Sequence, residues 1–231
     1  MFYHKNLLNI NIITIKKMKI IKQRLKLKRH IKGLKNIFFI PTMGALHNGH
    51  ISLIKKAKSL SKKNGKIIVS LFVNPKQFNS RKDYESYPRN FKNDFKILKR
   101  LKIDILFIPT YNQIFLFRTK NKIYIDKNEK KLCGKFRPGH FKGVIDVINR
   151  FIEIIKPKII FLGQKDFQQF FLIKKHVIKK KIKTKIIACK TVRNSSGLAL
   201  SSRLRNLNKN EIKLASKITY LIKKEKLKIK E

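Results

Sequence analysis

The chain has 231 residues, with 58 Lys and Arg against 12 Asp and Glu, a formal charge of +46. Hydrophobic residues make up 42%, too many for a disordered basic tail and enough for a sizeable core. No apolar run approaches the roughly 20 residues of a membrane span, and no basic segment with an apolar stretch and cleavage site opens the chain. A soluble, cytoplasmic globular protein is expected. Cys133 and Cys189 have neither disulfide-scaffold nor zinc spacing. The cations run from Lys5 to Lys230 without clustering and are mostly Lys, in company with abundant Ile, Asn and Phe and no Trp. A/T-rich codons explain that mixture without a partner. Base readout and bidentate phosphate grips favour Arg, so nucleic-acid contact is expected to be non-specific, through the Lys surface.

Strand and helix signals alternate along the chain. Residues 37–41 (IFFIP) read as a short buried strand, followed by a loop to Asn48 and a helical pattern ending at Gly65. Residues 66–73 (KIIVSLFV) are a second strand, and a polar loop then runs to Arg89. A helix is expected over 90–101, a strand over 103–108, and irregular structure over 110–139 with a hairpin strand around 123–126. A helix over 141–155 stops at Pro157. A strand at 158–162, a helix at 166–177, a strand at 184–188 and a helix at 209–224 complete the series. Short strands with helical crossovers predict an α/β fold with a doubly wound, Rossmann-like parallel sheet. Ligands of such sheets lie beyond the carboxyl ends of the strands, which directs attention to 41–50, 74–89, 163–169 and 192–203.

In the first loop, His47 and His50 are three apart at a helix start, so both imidazoles can lie on one face. Free backbone N–H groups and the helix dipole favour a phosphate there. A surface pair near a turn is the plainer reading, and no acid or thiol stands by to complete a metal site. In the second loop, Asn74 and Gln77 suit a hydroxyl-bearing small acid; an Asx turn and solvent explain them equally. In the third, Lys165 can meet a phosphate, while Asp166 can cap the helix or accept a ribose hydroxyl. In the fourth, Ser201, Ser202 and Arg203 suit a mobile phosphate clamp, or else a plain N-cap with a solvated arginine.

Six segments in this order, PTMGALHNGH, SLFVNPKQF, YPR, RPGHFKGV, GQKDFQQ and LALSSR, resemble the pantothenate synthetase (pantoate–β-alanine ligase) family of HxGH nucleotidyltransferases. The resemblance runs from about residue 12 to 215. It implies ATP-dependent ligation of pantoate to β-alanine through a pantoyl adenylate, with AMP and pyrophosphate released. Catalytic positions map to His50, His47, Lys165 and Arg203. ATP-binding positions map to Met43, Gly44, Ala45, Leu46, His47, Asn48, Gly49 and His50, to Gly163, Gln164, Lys165 and Asp166, and to Val192, Leu200, Ser201, Ser202 and Arg203. Pantoate is expected on Gln77 and Gln169, and β-alanine on Gln77. Mg²⁺ is expected on the phosphates, with its ligands open, and Asp94 stands as a contributor of unassigned role. A homodimer is implied, which +46 per protomer opposes unless salt screens it.

The chain departs from the family pattern at Gln164 (usually Glu), Leu204 (usually Asn) and Ser196-Gly197 (usually an acid before the Gly). About 30 residues follow Arg203, so the C-terminal lid is expected to be short and the adenylate more open to hydrolysis. The expected organisation is a frayed extension over 1–11, a nucleotide- and pantoate-binding domain over 12–190, and a phosphate-clamp loop with a shortened remnant over 191–231. An inactive or RNA-associated remnant of the fold is the alternative function.

Overall fold

The computed structural model describes residues 18–61 and 64–228; the expected frayed extension over 1–11 lies outside them. Six strands form one parallel sheet in the order β1-β4-β3-β2-β5-β6. They are β1 (Lys19–Ile21), β2 (Ile37–Thr42), β3 (Lys66–Leu71), β4 (Ile105–Phe107), β5 (Ile159–Gly163) and β6 (Lys185–Cys189). The helices are α1 (Arg24–His30), α2 (Asn48–Ser61), α3 (Arg81–Ser86), α4 (Phe91–Arg100), α5 (Tyr111–Phe115), α6 (His140–Ile155), α7 (Phe167–Lys179) and α8 (Lys209–Lys228). No helix of the described residues is long and apolar enough to cross a membrane.

Both faces of the sheet are covered, which is why its strands read as unbroken apolar runs. Alternate residues serve opposite cores. Phe39, Ile68, Phe107 and Ile160 pack towards α1 and α6, whereas Phe38, Ile40, Val69, Leu106 and Phe161 pack towards α2 and α4. From β2 the chain winds through β3 to β4, then crosses back through α6 to β5 on the other side of β2. The carboxyl ends of β2 and β5 therefore flank the switch point, where a crevice opens.

The five expected strands are present, and the structure adds elements that the sequence hides. β1 is a three-residue edge strand and α1 buries only Leu27, so neither carries enough apolar periodicity to be read. The polar loop before Arg89 contains α3, capped by Ser80 Oγ on the Asp83 N–H (3.0 Å), and the irregular stretch contains α5. No strand forms at 123–126. The Tyr124 N–H donates instead to Nδ1 of the buried His176 (3.1 Å), and Ile123 and Ile125 pack against Phe141, Ile145 and Leu172. A side chain thus does what a partner strand was expected to do.

Candidate active site

The loop between β2 and α2 turns through Gly44 (φ 84°) and Ala45 (φ 50°), two consecutive left-handed residues. Asp94 on α4, fully buried, holds that shape: its two oxygens accept from the N–H groups of Ala45 (2.8 Å) and Leu46 (2.7 Å). The carbonyls of the same two residues accept from Ser202 Oγ (3.0 Å) and Arg205 Nη2 (2.9 Å). Burial raises the Asp94 pKa, against the opposing pull of those N–H groups and of Arg205. The expectation of free N–H groups here is therefore corrected: at Ala45 and Leu46 they face Asp94. Gly44, Ala45, Leu46, Asn48 and Gln164 do not line the cleft, whereas Met43, His47, Gly49 and His50 do.

The two imidazoles lie with ring centroids 4.2 Å apart. His47 Nδ1 accepts the Gly49 N–H (3.0 Å) and His50 Nδ1 accepts the His47 N–H (3.3 Å), so in each neutral ring the proton sits on Nε2. A Cβ at Gly49 would stand 2.7 Å from His47 Cε1, so a larger residue there would push that ring out of its present place. Burial, then the nearby Lys165, lowers the His47 pKa to about 4; burial and the His47 neighbour lower that of His50 to about 3. The pair is uncharged at neutral pH and presents two N–H donors.

These shifts have a stability consequence. Burial likewise lowers the pKa of His176 to about 4, against 6.5 for a free imidazole. Between about pH 6.5 and 4 the unfolded chain binds protons that the folded chain refuses. Stability is thus complete above pH 6.5 and falls as pH drops towards 4, by on the order of a few kcal/mol. Urea midpoints measured from pH 7 to 4.5 should decline steadily, and His176→Leu should flatten the decline; a midpoint independent of pH would contradict the assignment.

The cleft has a volume of about 360 Å³. Its inner wall is apolar, with Phe72, Val144, Val147, Ile148 and Phe151. Gln77 and Gln169 supply amides. Gln77 Nε2 donates to Met43 Sδ (2.9 Å), and its Oε1 accepts from Asn74 Nδ2 (3.2 Å). Asn74 is 1% exposed and makes the Asx turn, its Oδ1 accepting the Lys76 N–H (3.1 Å) while its Nδ2 also reaches the Gly143 carbonyl (3.1 Å). Gly143 lets α6 approach this turn, because a Cβ would stand 2.1 Å from the Lys76 oxygen.

On the opposite lip, β5 delivers Gly163, Lys165 and Asp166. Asp166 makes no capping hydrogen bond to α7, so that reading is corrected; its carboxylate lies 3.8 Å from Lys165 Nζ. Val192, Leu200, Ser201, Ser202 and Arg203 line the cleft as expected. Ser201 caps the short turn after it, and Ser202 holds Ala45. Arg203 is not simply solvated: it straddles Asp83 of α3 (2.9 and 3.0 Å) and stacks over Tyr87 at 5.2 Å.

Sequence reasoning left Tyr87, Arg137, His140 and Gln168 without roles, although all four lie in segments it singled out. Tyr87, Arg137 and His140 line the cleft. Gln168 pins the wall over 127–134: its Nε2 donates to the Asn128 and Lys131 carbonyls (2.9 and 2.6 Å), and its Oε1 accepts the Cys133 N–H (3.0 Å).

Known proteins are similar to this chain in sequence and in fold. The model of the Pantoate-beta-alanine ligase family matches residues 13–230. The pantothenate synthetase of Francisella tularensis subsp. novicida (strain U112) is 46% identical over 209 residues, covering 89% of this chain and 78% of its own length. The crystal structure of the Francisella tularensis pantoate-beta-alanine ligase complexed with beta-gamma ATP and beta-alanine superposes with a TM-score of 0.81 at 44% identity, over 89% of this chain and 79% of that one. The pantothenate synthetase of Thermus thermophilus gives a TM-score of 0.79 at 31% identity, over 85% and 70%. A crevice at the β2/β5 switch point, a paired-histidine loop and a match along nearly the whole described chain converge: the chain belongs to the pantoate–β-alanine ligase family.

Proposed function

We propose that the chain joins pantoate to β-alanine at the expense of ATP, in two steps within this cleft. A pantoate carboxylate oxygen attacks the ATP α-phosphorus and pyrophosphate leaves. The β-alanine amine then attacks the acyl carbon, loses a proton, and AMP departs. The observation that carries this reading is the placement of two neutral imidazole donors beside two amides over an apolar wall, at the mouth of β2 and β5. Pantoate has a carboxylate, two hydroxyls and two methyl groups on one carbon. Gln77 and Gln169 suit the polar groups, and Phe72, Val144 and Ile148 suit the methyls.

His50 and His47 act as Nε2–H donors to charge building on the α-phosphate, positioned before the reaction starts. Proton abstraction is not needed from them, because the attacking carboxylate is already ionised. Lys165 and Arg203 neutralise the β- and γ-phosphates, with Gly163, Asp166, Val192 and the Leu200–Ser202 stretch around the nucleotide. Arg203 exchanges Asp83 for phosphate as ATP enters. Mg²⁺ belongs to this reading as a counter-ion on the triphosphate. Asp166 is the one carboxylate among the described residues lining the cleft, and Asp94 is committed to the loop, so the phosphates supply most of the metal's ligands. A homodimer, a cytoplasmic location and the division of the chain near residue 190 are parts of the same proposal.

The test is pantoate-dependent exchange of labelled pyrophosphate into ATP, with AMP release followed after adding β-alanine. Exchange that requires pantoate, and AMP release that requires β-alanine, are expected. Folded protein that does neither would overturn the reading.

A further inference from the structure

Four cations line the cleft: Arg137, Lys165, Lys190 and Arg203. Arg203 faces Asp83, Lys165 lies near Asp166, and Lys190 stands exposed at the rim. Arg137 differs from all three. It is half-buried and forms no ion pair among the described residues. Two neutral acceptors hold it instead: Nη1 donates to His140 Nε2 (3.2 Å) and Nη2 to the Gln77 carbonyl (3.3 Å). His140 Nδ1 lies 2.6 Å from the same carbonyl, which can only accept, so Nδ1 carries the proton and Nε2 offers its lone pair to the arginine. His140 is 7% exposed and neutral, its pKa lowered chiefly by burial. A guanidinium fixed in a cleft by neutral groups keeps its charge and its remaining N–H donors for an incoming anion.

On the ligase reading, on which this inference rests, three anionic groups enter the cleft. The triphosphate goes to the lip of Lys165 and Arg203. The pantoate carboxylate loses its own charge in the first step, and the charge left on the acyl adenylate sits on its phosphate, facing the histidine pair in that reading. The carboxylate of β-alanine is thus the anion that persists with no partner yet assigned, and it lies about 5 Å from the amine that must reach the acyl carbon. Arg137 grips the backbone of Gln77, whose side chain faces the acyl group in that reading, and lines the same cleft, so its charge lies on the Gln77 side of the reacting carbon. We propose that Arg137 binds the carboxylate of β-alanine, with His140 as its positioning residue, and that it thereby selects an amino acid over simple amines.

The experiment compares β-alanine with β-alaninamide as acceptors, and follows pantoate-dependent pyrophosphate exchange in parallel, for the full chain and its Arg137→Gln and Arg137→Lys variants. The unaltered protein should favour the acid over the amide by at least about tenfold in kcat/KM. Arg137→Gln should raise the KM for β-alanine by about 30-fold or more, leave β-alaninamide turnover unchanged, and keep exchange within about twofold. Arg137→Lys should recover part of the loss. Equal use of acid and amide by the unaltered protein overturns the assignment without any variant being needed. So does an Arg137→Gln variant that loses exchange in step with ligation, which would assign the guanidinium to phosphate or pantoate. Absence of exchange in the unaltered protein would instead remove the ligase reading itself.

Discussion

His50→Ala lowers pantoate-dependent pyrophosphate exchange by about a thousandfold or more while the protein stays folded. The substitution deletes one Nε2–H donor and the Nδ1 acceptor of the His47 N–H, and it leaves the sheet and both cores untouched. Loss of one fixed donor to developing charge costs about 10²–10³ in rate, and here the neighbouring ring loses its support as well. His50→Gln retains an N–H donor and should recover part of the activity. Because His50 is neutral down to about pH 3, exchange should show no ionisation near pH 6.5 belonging to this residue. Exchange in His50→Ala above a tenth of the parent rate would remove the imidazole from the chemistry.

The second large effect is expected at Asp94, a residue that touches no substrate. Asp94→Asn leaves one oxygen for two N–H donors and turns an amide NH₂ against the other. The cost is about 3 kcal/mol, which lowers Tm by about 6–12 °C for a chain of this size. Activity should fall further than stability accounts for. The left-handed Ala45 costs about 1–2 kcal/mol by itself, and without Asp94 the loop that aims His47 and His50 has no reason to keep it. Thermal unfolding followed by circular dichroism, together with exchange at a temperature where the variant is folded, separates the two effects. A Tm within about 2 °C of the parent would show that the loop is held by other means.

The strands are legible because both faces of the sheet are buried, leaving apolar runs such as IFFI and KIIVSL, although β2 runs on through Pro41, which pairs opposite Ser70. α1 escapes because one buried leucine in seven residues makes no pattern. The loops that form the cleft are legible from topology alone, since the switch point falls wherever strands return on the other side of β2. What fails are inferences about where polar groups point. The N–H groups of Ala45 and Leu46 look available to phosphate in the sequence, yet their acceptor is supplied from 49 and 48 residues further on. Asp166 looks like a helix cap and faces a lysine. Arg137 and His140 fall in a segment that was singled out but gained no role, because their significance lies in a shared carbonyl at Gln77, 60 and 63 residues earlier. Local composition reports burial well and pairing poorly.

The loop of the two histidines is made early in the chain, but the groups that grip its carbonyls come late: Ser202 and Arg205 are separated from their partners by 157 and 159 residues. β2 likewise waits more than a hundred residues for β5 to settle beside it. On the ribosome, then, Asp94 can fold the loop while its two carbonyls still wait for Ser202 and Arg205. Until β5 arrives, the central strand is covered by β3 at one edge and by α2 on one face, and its other edge stays open to mispairing.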